Sequence, residues 1–88
     1  MVLSGFNTNL SWQEQTYHIQ TEDLDKGNPH ILTVAYRDGA VVVRIKTYYR
    51  ELLGPDPSPQ AVRALMARQH RQVIADIQAG KAEGEAER

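Results

Sequence analysis

A-V-V-V-R-I-K-T-Y-Y, residues 40–49, alternates in a way that decides the fold. Side chains of a strand have a period of two, so Val41, Val43, Ile45 and Thr47 fall on one face and Val42, Arg44, Lys46 and Tyr48 on the other. The first set suits a core. The second presents two cations and a phenol outward. Immediately before this run stands Asp38-Gly39, a pair able to take the positive φ angles of a tight hairpin turn. On its far side His30 to Arg37 is rich in β-branched and aromatic residues. These two segments are therefore expected to pair antiparallel.

Moving toward the N-terminus, residues 24–29 (L-D-K-G-N-P) carry the Gly, Asn and Pro of a loop. Residues 16–23 read as a strand with Tyr17, Ile19 and Thr21 on one face and His18, Gln20 and Glu22 on the other. Phe6 to Trp12 alternates more loosely, and Gln13, Glu14 and Gln15 are its turn. Four strands in this order predict an antiparallel meander.

Toward the C-terminus, residues 49–53 suggest a short helical turn. The proline-rich break G-P-D-P-S-P at 54–59 follows, its prolines unable to donate ladder hydrogen bonds. Ser58 is a good N-cap and Pro59 suits the first helical position. A helix is expected to about residue 79, with Gly80 as its stop. Val62, Leu65, Met66, Val73 and Ile77 form one apolar stripe to cover the sheet, with Arg68 and Arg71 on the solvated side. The predicted fold class is α+β, a four-stranded antiparallel β-meander with a C-terminal α-helix packed on one face. Residues 1–80 form a single small domain; 81–88 (K-A-E-G-E-A-E-R) are expected to be a disordered acidic tail.

At 88 residues there is room for one sheet covered on one side. Cysteine is absent, which excludes disulfides and thiolate metal sites and suits a reducing compartment. Neither a signal-peptide pattern nor an apolar run of the ~20 residues needed to span a bilayer is seen, so a cytoplasmic protein is expected. The net charge of −1 is zoned: residues 31–75 carry seven bases against three acids, and both flanks are acidic. That excess is modest beside the dense basic footprint of nucleic-acid domains.

No catalytic constellation stands out. His18 and Glu22 share a strand face but lie roughly 13–14 Å apart, too far for one metal ion, and His30 and His70 are remote in sequence. No serine sits in a nucleophile-elbow context. The acids Glu22, Asp23 and Asp25 suit loop solvation or turn capping better than an acid/base pair. No enzyme, cofactor or metal is expected. Gln69 falls within the apolar helix stripe beside His70, so it needs a structural hydrogen bond or a covering second chain. Trp12 and Tyr49 suit core lids and interface anchors equally.

What remains is a surface. Arg44, Lys46 and Tyr48, with Tyr36 and Leu32 by strand parity, make a cationic and aromatic strip. The plain reading is the solvated face that every two-layer domain of this type has, and apolar residues beside cations strengthen the case for a protein interface. The expected partner-binding residues are Arg44, Lys46, Tyr48 and Tyr36. The alternative is a module that binds an anionic ligand or nucleic acid through the same strip.

F-N-T-N-L at 6–10, H-I-Q-T-E-D at 18–23, P-H-I-L-T at 29–33, K-T-Y at 46–48 and L-M-A-R-Q-H at 65–70 occur in an order and spacing that resemble a family of small myxobacterial-type proteins. The resemblance spans residues 6–80. It implies a non-catalytic adaptor of bacterial cell polarity and motility, associated with the cell pole through a scaffold. Its implied partners are a response-regulator-like scaffold of the RomR kind and a Ras-family GTPase of the MglA kind, on which it would promote guanine nucleotide exchange. No residue of the family's contacts carries over. A homodimer through an unprotected strand edge stays open.

Overall fold

The structure, a computed structural model, describes residues 5–24, 27–81 and 84–87. The expected stretches at 1–4, Asp25 and Lys26, 82–83 and Arg88 lie outside the described residues. Strands β1 (Phe6–Trp12), β2 (Gln15–Leu24), β3 (His30–Arg37) and β4 (Ala40–Tyr48) form an antiparallel meander. A short helix α1 (Arg50–Leu53) and the long helix α2 (Pro59–Gln78) follow, with α2 packed on β1, β2 and β3. The chain is α+β, as its periodicities predict.

Local chemistry explains the boundaries. Ser58 Oγ accepts the Ala61 N–H at 3.1 Å, and Pro59 opens α2. Gly80, at φ 72°, ends it: its N–H bonds the Ile77 carbonyl while the Lys81 N–H reaches back to Asp76 at 2.8 Å. Asp38 and Gly39, at φ 52° and 79°, make the expected β3–β4 turn. Gln13 and Glu14 adopt φ 49° and 64° in an equally tight β1–β2 turn, with Gln15 already paired to Trp12. Neither residue is suited to that conformation.

Two features differ from the sequence expectation. Val41 does not line the core; it is 52% exposed, and Val42 packs against the core instead. The cause is a conflict of register. The two-residue turn pairs Arg37 with Ala40, whereas packing the apolar sets together requires Ala35 opposite Val43. One extra residue between Val41 and Val43 reconciles them as a β-bulge, and from Val43 onward the alternation holds. Secondly, residues 84–87, expected to be unstructured, form β5 (Gly84–Glu87), parallel to β4 and last in the order β1-β2-β3-β4-β5. The α2 crossover brings the chain back along β4, whose outer row of N–H and C=O groups is otherwise unpaired.

The inner face of the sheet and α2 enclose two apolar clusters. One contains Tyr17, Ile19, Ala35, Val43, Ile45, Val73 and Ile77; the other contains Ile31, Tyr49, Val62 and Met66. Between them runs a line of hydrogen bonds. Gln69 Nε2 donates to Thr33 Oγ1 (2.9 Å) and toward the Ile45 carbonyl (3.3 Å), while Thr47 donates to Gln69 Oε1. Thr33 and Thr21 hydroxyls lie 2.7 Å apart, Thr21 is 2.8 Å from His70 Nδ1, and His70 Nε2 is 2.8 Å from Thr8 Oγ1. One direction gives each of these bonds a donor and an acceptor: Gln69 amide to Thr33, Thr33 to Thr21, Thr21 to Nδ1, and a neutral Nε2–H to Thr8. Burial lowers the His70 pKa, which favours that neutral ring.

Candidate partner-binding face

Because α2 lies on the inner face, no described element packs on the outer one. Strand register sets its rungs. Asn9, His18, Tyr36 and Val41 form one row, and Asn7, Gln20, Val34 and Arg44 the next. Glu22, Leu32 and Lys46 form a third, then Leu24, His30 and Tyr48. The four residues singled out by sequence, Arg44, Lys46, Tyr48 and Tyr36, thus share one face, and all are half-buried. Lys46 and Arg44 stand two residues apart on β4, hence roughly 7 Å along the strand.

Aromatic contacts set the ends of the strip. The His18 and Tyr36 rings lie 6.3 Å apart between centroids, and the His30 and Tyr48 rings 5.3 Å. His18 Nδ1 is 2.9 Å from Asn9 Oδ1, and His30 Nδ1 is 2.9 Å from the Asn28 carbonyl. These bonds limit the rotamers of both imidazoles. Half-buried Leu32 and buried Val34 occupy the middle, with Val41 the most exposed apolar side chain on the face. In chemical terms this is an apolar centre with two cations along one side and amides and a carboxylate along the other. Such a surface can bury aromatic and aliphatic groups while orienting acidic ones. At the backbone level β5 borders the cationic side, with Glu85 opposite Arg44 and Glu87 opposite Lys46 in the ladder.

Other residues weighed from sequence resolve differently. Tyr49 belongs to the core, and its hydroxyl donates to Asp23 Oδ1 at 2.7 Å. Asp23 is accordingly buried at the sheet's inner face and is not loop solvation; parity with Tyr17, Ile19 and Thr21 is the signal that placed it there. Gln69 takes the structural alternative, satisfied by strand side chains and carbonyls. Trp12 is half-buried beside the first cluster. It also lines a cleft with Tyr17, Arg37 and Ile77, where the described lining residues include no carboxylate side chain. Among the described residues no group of three or more His, Cys, Asp or Glu converges on a metal site. No helix of the described residues is long and apolar enough to cross a membrane.

No family model, no curated protein and no solved structure matches the chain significantly.

Proposed function

We propose that this protein is a non-catalytic adaptor that binds protein partners through the outer face of its sheet, with Arg44, Lys46, Tyr48 and Tyr36 in the interface. One observation supports this most: the sheet face that no long described element crosses carries exposed Val41 and half-buried Leu32 and Tyr36, over a buried Val34, beside two cations. A merely solvated face needs no such apolar centre. The motif resemblance is to the polarity protein RomX, and it supplies the partners: a RomR-like scaffold and an MglA-like Ras-family GTPase. Promotion of nucleotide exchange on the GTPase requires no bond chemistry from the adaptor. It requires only tighter binding to the nucleotide-poor state.

The test uses the three purified proteins and a GTPase loaded with fluorescent guanine nucleotide. Adaptor and scaffold together should speed nucleotide release. Arg44→Glu combined with Lys46→Glu should abolish the acceleration and leave the far-UV spectrum unchanged. Release at the basal rate with saturating adaptor and scaffold would exclude the exchange function. Full activity in the double variant would exclude the face. Oligonucleotide binding that falls steeply with salt would favour the anionic-ligand alternative instead.

A further inference from the structure

Among the described residues strand β1 is the sheet edge with no strand beyond it, and apart from Arg63 of α2 over the Phe6 ring it carries little of the usual protection. Its seven residues, F-N-T-N-L-S-W, include no charge and no proline, and its ladder with β2 runs without a bulge from Phe6 opposite Thr21 to Trp12 opposite Gln15. The opposite side of the meander is different, since β5 lies along β4.

The β1–β2 turn settles which backbone groups are free. A two-residue turn with positive φ at both positions makes its flanking pair, Trp12 and Gln15, a hydrogen-bonded one. Bonded and non-bonded pairs then alternate, so Leu10, Thr8 and Phe6 also bond to β2. The N–H and C=O groups of Asn7, Asn9 and Ser11 point away from the sheet, and the side chains of all three are exposed.

We infer that β1 pairs antiparallel with β1 of a second copy of this chain, about a two-fold axis at Asn9. In that register Asn9 faces its own counterpart, Asn7 faces Ser11, Thr8 faces Leu10, and Phe6 faces Trp12. All outward backbone groups meet outward backbone groups. A shift of one residue sets them against groups already bonded to β2. A shift of two leaves strand residues unpaired at the ends. The side chains agree with the symmetric register. Asn and Ser pairs on the outer face can hydrogen-bond, while the helix side gains two symmetry-related aromatic pairs, Phe6 with Trp12, and no like charges of the strand oppose. The self-complementarity of the strand is the reason to assign a second copy in place of an unrelated peptide.

A two-fold axis normal to the sheet keeps both α2 helices on one side and both outer faces on the other. The assembly is then a continuous sheet with two coplanar copies of the candidate partner-binding face. This inference does not depend on what that face binds.

Light scattering of the full chain across a concentration series tests it, with a monomer of 9.9 kDa as reference. The expected result is a mass rising to twice that value. Two variants locate the interface while keeping the backbone ladder to β2, giving up only the Asn9–His18 side-chain bond. Asn9→Pro removes an outward N–H, and Asn9→Lys sets like charges face to face across the axis. Both should stay monomeric with unchanged circular dichroism. Because the chain has no cysteine, Asn9→Cys should also crosslink in solution with a short bis-maleimide, whereas Val41→Cys on β4 should not. A monomer up to millimolar concentration overturns the inference, and so does a dimer that both Asn9 variants leave intact.

Discussion

Replacing Gln69 by leucine should destabilise this domain severely, and replacing its partners as well should undo the damage. The side chain sits between the two apolar clusters, 8% exposed, and serves two threonines at once. Thr33 accepts from its amide and Thr47 donates to its carbonyl. The Ile45 carbonyl, its third contact, belongs to a ladder strand. Leucine fills nearly the same volume but leaves the Thr47 hydroxyl without its acceptor and takes a donor from Thr33, whose own proton still reaches Thr21. A buried group left unsatisfied costs about 1–3 kcal/mol and a lost hydrogen bond about 0.5–1.5, so Gln69→Leu should lose roughly 1.5–4.5 kcal/mol. A domain of 88 residues has a total stability of roughly 4–13 kcal/mol, so the variant stands near the limit of folding. Replacing both partners by groups of the same shape is nearly neutral or stabilising. The triple variant Gln69→Leu/Thr33→Val/Thr47→Val should therefore recover most of the loss. Urea unfolding followed by far-UV circular dichroism measures both, with the slope m checked for constancy. A loss under about 0.5 kcal/mol in the single variant, or no recovery in the triple, would refute the account of this polar layer.

His70 offers a pH test: burial holds its folded-state pKa below the ordinary 6.5, so the unfolded chain takes up the proton more readily. Stability should be full above about pH 6.5 and should fall as pH drops below it, and His70→Gln should flatten that slope in urea melts run between pH 7 and 5. The Gln13-Glu14 turn holds two non-glycine residues at positive φ, so Gln13→Asn with Glu14→Gly should raise stability by about 1 kcal/mol or more; an unchanged or lower melting temperature would contradict the strain. Tyr49→Phe removes the donor to the buried Asp23 carboxyl and should cost about 1–3 kcal/mol, whereas Tyr48→Phe on the outer face should leave the unfolding midpoint in place.

Local signals in this chain were informative because they depend on near neighbours. The Asp38-Gly39 turn, the Ser58 cap with Pro59, and the Gly80 stop each follow from the φ range or hydrogen-bond needs of a few consecutive residues. Period-two alternation placed Tyr17, Ile19, Thr21 and Ile45 inward, and the same parity gathered Arg44, Lys46, Tyr36 and Tyr48 on one face. The Gln13-Glu14 turn was legible only as a gap between strands, since neither residue carries a composition signal for positive φ.

Other features needed the whole structure. Turn geometry and apolar matching ask for registers one residue apart on β3 and β4, and the conflict appears only when both strands are paired; Val42 absorbs it, which turns Val41 outward. The polar layer joins Thr8, Thr21, Thr33 and Thr47 from four separate strands to Gln69 and His70 of α2. In sequence these are ordinary strand threonines, and only the packing of the helix brings them within bonding distance of it. Strand β5 is held to β4 through backbone pairing, which leaves no periodic trace in G-E-A-E. The sequence by itself determined which residues share a face wherever a strand runs without a bulge, because that follows from bond geometry along the chain. Which face stays open was decided in three dimensions, by the side of the sheet on which α2 buries its stripe.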